Sequence, residues 1–189
     1  MIYLMRHGAD DPNRLGGWSP YGLTEEGTRQ VREACARLTD KEITAVYSSD
    51  LPRAAETAEI VAHALHLPVE WLPSFREGNN GKLAGMLITE AAEQYPGVWW
   101  STLEWTQPWA GGESPKGFFD RIAAAWQAFR KANRDRSVLL ITHSGVINAI
   151  LCTENGIPCT NRETRFRIGY AEVVGIDPAQ QTTTGSNKE

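Results

Sequence analysis

Two of the four histidines directly follow apolar runs that are typical of buried strands. His7 stands in Arg6-His7-Gly8 after the first run, and His143 follows a later one. Arg53 follows a further predicted strand. Because the carboxyl ends of parallel strands meet at one edge of a sheet, these side chains should lie close together. Such a group can surround a metal ion or bind an anion.

The arginines decide between these two kinds of site. A metal site needs neutral imidazoles and usually a carboxylate or thiolate as a further ligand. Arg6 and Arg53 would repel a divalent cation, whereas guanidinium groups present paired N–H donors to phosphate oxygens. The residue types therefore predict a phosphate site that uses no metal.

A phosphate held there gives each residue a chemical role. The neutral imidazole of His7 can attack phosphorus and form a phosphohistidine. We expect Arg6, Arg53 and a protonated His143 to neutralise the phosphoryl charge, which is the main requirement of this reaction. Glu77, which follows the third predicted strand, is the candidate general acid for the leaving oxygen and the general base for water.

Strand-like and helical patterns alternate along the chain, which predicts a mostly parallel sheet with helices on both faces. Predicted strands cover 2–5, 43–47, 69–72, 138–141 and 170–176. Predicted helices begin at Thr24, Pro52, about Thr89, before Phe119, and at Val146. We expect a three-layer α/β/α sandwich.

Nothing in the sequence divides the chain into separate units. We predict one domain over residues 1–177, followed by a polar, Gln- and Thr-rich tail over 178–189 that we expect to be disordered.

The composition excludes several classes of partner. The net charge of −4 provides no basic field for nucleic acid or anionic lipid. No apolar run is long enough to span a membrane, and the N-terminus shows no secretory signal pattern. Three cysteines without a close pair indicate reduced thiols. We therefore expect a cytoplasmic protein that acts on a small molecule.

The motifs resemble those of the histidine phosphatase superfamily, the phosphoglycerate mutase-like enzymes. The similar stretches are Leu4-Met5-Arg6-His7-Gly8 with Asn13, Leu23-Thr24-Glu25-Glu26-Gly27, Ser48-Ser49-Asp50-Leu51-Pro52-Arg53-Ala54, Arg76-Glu77, Gly112-Glu113-Ser114 with Arg121, and Thr142-His143-Ser144-Gly145. They occur in order along most of the chain.

The resemblance implies a phosphoglycerate mutase-like fold and a site that needs no metal or organic cofactor. It implies that His7 is phosphorylated and that Glu77 is the proton donor. The residues implied or predicted to bind the phosphorylated substrate are Arg6, Asn13, Arg53, His143 and Ser144.

The chain departs from the family pattern at three places. Asp10 occupies a position where the family often has threonine, and an acid there should weaken anion binding unless it turns away. Ser144 replaces a glycine of the family's second-histidine motif. The loop after Glu77 lacks a common aromatic residue.

Three functions are compatible with these residues. We favour a phosphomonoester phosphatase, because the chain is short for a cofactor-dependent mutase. The Trp-rich segment followed by Gly111-Gly112-Glu113-Ser114, and the later Phe166-Arg167, resemble alpha-ribazole phosphatases. The alternatives are a cofactor-dependent phosphoglycerate mutase and a non-catalytic module that binds a phosphorylated ligand. We expect a small phosphorylated metabolite as substrate, and a monomer or homodimer.

An irregular segment carries four tryptophans, namely Trp99, Trp100, Trp105 and Trp109. They could form a lid that contacts the substrate, or a packed loop or subunit contact, and both interpretations are open. His63 and His66 lie one turn apart on a predicted helix, where an exposed face is favoured over a metal site.

Overall fold

A five-stranded sheet forms the centre of the structure, which is a computed structural model that describes residues 1–177. The strands are β1 (Ile2–Arg6), β2 (Ala45–Ser48), β3 (Val69–Trp71), β4 (Val138–Thr142) and β5 (Val173–Ile176). Their order is β3-β2-β4-β1-β5, and β5 alone of these runs antiparallel to its neighbour. The predicted mostly parallel sheet is confirmed. The predicted tail, 178–189, lies outside the described residues.

Helices cover both faces of this sheet, as predicted. They are α1 (Glu25–Cys35), α2 (Pro52–Leu65), α3 (Ile88–Gln94), α4 (Pro115–Ala132) and α5 (Ser144–Glu154). Thr24 caps α1 by accepting the Gly27 N–H at 3.0 Å, and Ser114 caps α4 in the same way. α1 and α2 pack on one face, and α4 and α5 pack on the other.

Alternating residues of the strands form two separate hydrophobic cores. In β1, Ile2 and Leu4 pack with the α4 residue Trp126, whereas Met5 packs with Val31 of α1. This two-residue period is the expected pattern for a strand with both faces buried. The central strand β4 is buried along its whole length.

Hydrogen bonds extend the sheet slightly beyond the ends of its strands. The His7 N–H donates to the carbonyl of Thr142, and the Ser49 N–H donates to the carbonyl of Ile141, both at 3.0 Å. The residues that follow β1 and β2 are therefore held rigidly against β4. This edge of the sheet carries the polar residues singled out above.

Several predicted boundaries differ from the structure by one to three residues, and two of these differences lie at the polar edge of the sheet. The strand predicted from Tyr170 begins only at Val173, because Ala171 adopts a positive φ of 54° that interrupts extended backbone. The helix predicted from Val146 begins at Ser144, directly after His143. Both differences bring additional residues to the carboxyl edge of the sheet.

Candidate active site

The ring of His7 is oriented by its own local backbone. Its Nδ1 lies 2.7 Å from the carbonyl oxygen of Gly8, and a carbonyl can only accept, so Nδ1 carries a proton. Nε2 therefore has the lone pair when the ring is neutral. Nε2 accepts the Nε–H of Arg53 at 3.1 Å. The nitrogen that could attack phosphorus thus faces a cation.

The environment of His7 keeps the ring neutral. Burial lowers the pKa of His7 well below 6.5, and the charges of Arg53 and Arg6 lower it further, although the hydrogen bond to Gly8 opposes them. Only 4% of the side chain is exposed. A neutral imidazole is the nucleophilic form, so burial and charge act in the direction that the predicted chemistry requires.

A close approach of two backbones holds the loop that carries His7. A Cβ on Gly8 would overlap the carbonyl of Gly27, and a Cβ on Gly27 would overlap the backbone of Ala9. The Gly8 N–H also donates to the hydroxyl of Thr57 at 3.1 Å. The glycines of two sequence motifs therefore let α1 approach the end of β1.

Arg53 lies in the first turn of α2, after Leu51 and Pro52, and is only 2% exposed. Its Nη2 donates to the carbonyl of Gly17 at 2.9 Å, but its buried Nη1 has no hydrogen-bond partner among residues 1–177. A buried N–H without a partner costs about 1–3 kcal/mol. A bound anion would remove that cost.

Arg6 repeats this arrangement on the other side of His7. Its Nη1 donates to the carbonyl of Ile168 at 2.8 Å, and its buried Nε has no partner in the part of the chain that the structure describes. The ring of Tyr170 lies over the guanidinium group at 3.7 Å. Two guanidinium groups with unpartnered buried nitrogens therefore flank His7.

His143 is fully buried, and its ring centroid lies 5.2 Å from that of His7. Its Nε2 lies 2.8 Å from the hydroxyl of Ser49, while no described residue is a hydrogen-bond partner of Nδ1. Burial, followed by the charge of Arg53, lowers the pKa of His143 well below 6.5. Burial and the arginine charges therefore oppose protonation of His143, and the protonated form stays a prediction.

Backbone amides hold both oxygens of the Glu77 carboxylate. Oε1 accepts the N–H of Gly78 at 3.1 Å, and Oε2 accepts the N–H of Gly145, in the first turn of α5, at 3.0 Å. A Cβ at Gly145 would overlap the carboxylate, so the glycine of the second-histidine motif makes room for Glu77.

Two residues fix the main chain of Glu77, and the sequence did not assign this role to either of them. The indole of Trp18 donates to the Glu77 carbonyl at 2.8 Å. Arg121 donates to the same carbonyl at 3.2 Å and to the carbonyl of Arg76 at 3.0 Å. Glu113 pairs with the Arg121 guanidinium at 2.8 Å. This contact explains why Glu113 and Arg121 accompany the catalytic motifs.

Two cavities meet at Glu77 and Ser144, which line both of them. The first, here called the polar cavity, has a volume of about 270 Å³ and is lined by Arg6, His7, Asp10, Asp11, Pro12, Arg14, Gly16, Arg53, Glu77, Ser144 and Tyr170. The second, here called the aromatic cavity, has a volume of about 280 Å³, and its apolar walls include Trp100, Trp109, Phe118 and Phe119.

Asp10 faces the arginines rather than turning away from them. Its Oδ2 lies 3.4 Å from the Nε of Arg53, and its Oδ1 accepts the hydroxyl of Tyr170 at 3.1 Å. Burial and the Asp10 charge raise the pKa of Tyr170. Tyr170 was missed as a site residue because it reads as the start of a strand. The local sequence signal for a turn at Tyr170 is the preceding residue, Gly169.

Several other candidates lie outside the polar cavity. Asn13 is exposed and donates to Asp11 at 3.1 Å, so the structure does not bring it to His7. Arg76 pairs with Asp50.

Within residues 1–177, no group of three or more His, Cys, Asp and Glu side chains could hold a metal ion. No helix in the same range is long and apolar enough to cross a bilayer.

The tryptophan segment divides into two parts. Trp100 and Trp109 line the aromatic cavity, with ring centroids 5.4 Å apart. Trp105 instead stacks on Phe119 at 5.5 Å and is 39% exposed. The segment is thus a packed loop, two rings of which form a cavity wall.

Comparison with known proteins finds similar sequences and structures. Probable phosphoglycerate mutase GpmB from Salmonella choleraesuis (strain SC-B67) is 30% identical over 181 residues, which are 93% of this chain and 84% of that protein. The mycobacterial glucosyl-3-phosphoglycerate phosphatase structure is 26% identical with a TM-score of 0.76, covering 91% of this chain and 87% of that one.

A further solved structure supports the fold. Alpha-ribazole phosphatase from Shigella flexneri has a TM-score of 0.79 at 22% identity, covering 91% of this chain and 87% of that one. The family model of the histidine phosphatase superfamily (branch 1) matches residues 2–186. With that match across nearly its whole length, the chain belongs to the histidine phosphatase superfamily.

Proposed function

We propose that this protein is a cytoplasmic phosphomonoester phosphatase that works through a phosphohistidine on His7. The observation that carries the proposal is the lone pair of His7 Nε2, which faces the polar cavity between Arg6 and Arg53. A small phosphorylated metabolite would bind with its phosphoryl group in this cavity.

Binding would supply partners to the buried nitrogens that lack them. Phosphoryl oxygens can accept from Arg53 Nη1 and Arg6 Nε, and from Nδ1 of a His143 ring whose Nε2 accepts the Ser49 hydroxyl. The Nε–H of Arg53 must also change its hydrogen-bond acceptor from His7 Nε2 to a phosphoryl oxygen, because attack on phosphorus requires the Nε2 lone pair.

The first chemical step forms the bond from His7 Nε2 to phosphorus and breaks the bond from phosphorus to the ester oxygen. Glu77 gives its proton to the departing alcohol. The positive charge that develops on the imidazole is stabilised by the Nδ1–H bond to the Gly8 carbonyl. In this proposal Glu77 enters the step carrying the proton that it donates.

The second step returns the site to its starting form. Water attacks phosphorus while Glu77 takes its proton, and the bond to His7 Nε2 breaks. Phosphate leaves, and the imidazole is again neutral with its proton on Nδ1. No metal ion takes part in either step of this proposal.

A phosphoglycerate mutase is the second candidate, because the 30% identical relative carries that name. In that case the phosphoryl group on His7 would return to a second hydroxyl of the substrate instead of passing to water. A bisphosphorylated primer would be needed to load His7. The two functions share all residues described above and differ only in the acceptor.

One assay separates the candidates. Wild-type protein and His7→Ala are incubated with p-nitrophenyl phosphate, and separately with 3-phosphoglycerate plus 2,3-bisphosphoglycerate. We expect phosphate release from p-nitrophenyl phosphate that is lost in His7→Ala, while His63→Ala, an exposed substitution on α2, retains it. Isomerisation without net phosphate release would identify a mutase. Binding of phosphate without turnover of either substrate would indicate a non-catalytic module.

A further inference from the structure

The aromatic cavity adjoins the place where the ester bond would break. Glu77 must contact the leaving oxygen in order to protonate it, and Glu77 lines both cavities. The phosphoryl group occupies the polar cavity in the proposed reaction. The alcohol portion of the substrate therefore extends past Glu77 and Ser144 into the aromatic cavity.

We infer that the natural substrate is the phosphomonoester of a planar, apolar alcohol that carries no negative charge. This inference rests on the proposed phosphatase function and adds the chemical class of the leaving group. It depends on the walls of the aromatic cavity, their rigidity and their charge.

The walls present ring surfaces to a bound molecule. Trp100 lies 5.4 Å from Trp109 and 5.5 Å from Phe118, measured between ring centroids, and Phe118 lies 5.1 Å from Phe119. Contiguous aromatic walls favour flat apolar groups, which gain stacking and edge contacts beyond the burial of their area. A volume of about 280 Å³ fits a small ring system.

Buried hydrogen bonds hold these walls in place. Asn161, which is 6% exposed, donates to the carbonyls of Trp100 at 2.8 Å and Leu103 at 3.0 Å. The indole of Trp109 donates to the carbonyl of Val98 at 3.4 Å. A preformed wall loses little conformational entropy when a ligand binds, which favours selection by shape.

The charges of the aromatic cavity oppose an anionic alcohol. Among the described residues that line it, the ionisable side chains are Glu77 and Glu163, both acidic. Glu163 pairs with Arg165, so this arginine is not free to bind the carboxylate of a substrate. Arg14 lines only the polar cavity and pairs with Asp11 at 3.2 Å. A carboxylate here would be desolvated without a partner, which is costly.

Three benzyl phosphates test the inference with wild-type protein. They carry a methyl, an aminomethyl or a carboxylate group at the para position, so their size and leaving oxygen are matched while their charge differs. We expect kcat/KM for the neutral and cationic esters to exceed that for the carboxylate by at least about tenfold. We also expect the neutral ester to exceed ethyl phosphate, which is too short to fill the cavity. Equal or better turnover of the carboxylate would overturn the charge selection, and equal turnover of ethyl phosphate would overturn the role of the aromatic walls.

A variant series locates the selection in the cavity wall. Trp109→Ala should lower kcat/KM for 4-methylbenzyl phosphate about tenfold while changing that for ethyl phosphate less than about twofold. Trp71→Ala removes an exposed tryptophan on β3 and should change neither value. Trp109→Leu replaces the alanine variant if thermal melting shows that the latter is unfolded. Equal loss with both esters in a folded variant would contradict a leaving-group contact.

The same assays distinguish failure of this inference from failure of the proposed function. Inhibition by inorganic phosphate reports the polar cavity alone. If ethyl phosphate is hydrolysed and phosphate inhibits, but the aromatic esters gain nothing, only the substrate class is wrong. If no ester is hydrolysed at all, the phosphatase function is wrong.

Discussion

The polar and aromatic cavities have nearly equal volumes, about 270 and 280 Å³, but opposite chemistry. The polar cavity places three arginines and four other ionisable side chains around His7, whereas tryptophan and phenylalanine rings line the aromatic cavity. Glu77 and Ser144 belong to both. This contrast assigns the reaction, which is the same for every ester, to the polar cavity and the selection among esters to the aromatic cavity.

The two cavities also differ in construction. Three residues of the polar cavity, Arg6, Arg53 and Ser144, lie in β1, α2 and α5, where sheet and helix hydrogen bonds limit movement, and the loop after β1 supplies six more. The walls of the aromatic cavity come from the segment around Trp100 and Trp109, the start of α4, and residues 160–164. Changes in the polar cavity should therefore affect all substrates equally, and changes in the aromatic cavity should affect their ranking.

The largest effect is expected from Arg53→Lys. Lysine lacks the Nε–H that contacts His7 and the fork of donors for phosphoryl oxygens. We expect kcat/KM to fall about 10²–10³-fold for p-nitrophenyl phosphate and for 4-methylbenzyl phosphate alike. Arg37→Lys, an exposed matched control, should have no effect. A loss confined to one ester would break the separation between the two cavities.

Glu77→Gln should affect esters according to their leaving group, because Glu77 lies where the cavities meet. Glutamine cannot donate the proton that an alkoxide needs, whereas p-nitrophenolate leaves without one. We expect about a 10²-fold loss in kcat with 4-methylbenzyl phosphate and a much smaller one with p-nitrophenyl phosphate. Glu93→Gln, on the exposed side of α3, serves as the control. Equal slowing of both esters would show that Glu77 is not the acid.

Asp10→Asn should strengthen phosphate binding. The Asp10 carboxylate competes with phosphate for Arg53 and accepts the Tyr170 hydroxyl, so neutralising it frees the cation. We expect the inhibition constant of inorganic phosphate to fall about tenfold, as for loss of one nearby charge in a partly exposed site. Asp120→Asn on exposed α4 surface should leave the constant unchanged. Weaker phosphate binding in Asp10→Asn would mean that Asp10 orients the arginines instead of competing with the ligand.

The last prediction is on stability and concerns the two buried histidines. Folded-state pKa values of His7 and His143 lie well below 6.5, so the unfolded chain binds more protons as pH falls below about 6.5. The free energy of unfolding should therefore fall with pH in that window, by at most about 1.4 kcal/mol per pH unit for each histidine.

Denaturant unfolding between pH 7 and pH 5 measures this effect, in a buffer without phosphate. His7→Asn should show a shallower dependence on pH than wild type, because one of the two histidines no longer titrates. Parallel dependences would mean that His7 is not held neutral by its surroundings.

Much of the fold followed from local patterns. The alternation of strands and helices predicted the layered sheet, and Thr24 and Pro52 predicted where α1 and α2 begin. The missed positions were boundaries set by tertiary contacts. Ala171 donates its N–H to the carbonyl of His7 at 3.2 Å, which turns the chain and keeps Tyr170 out of β5. No local pattern contains that contact.

Parts of the site were equally predictable. Arg6 ends β1, and His7 and His143 directly follow β1 and β4, so the sheet brings them together whatever the loops do. Asn13 lies six residues beyond His7 in an irregular loop, and the structure places it against Asp11 instead. The lowered pKa of His143 could not be predicted, because it depends on burial and on arginines from other segments.

The sequence by itself determined the chemistry of the polar cavity, since the ends of strands and helices are set by local periodicity and by residue type. Tertiary structure decided which contacts hold the charged groups of the polar cavity and which residues form the wall against the proposed leaving alcohol. Asp10 and Tyr170 meet across 160 residues, and Asn161 holds Trp100 across 61. Such contacts depend on how distant segments pack, and packing is a property of the folded chain as a whole.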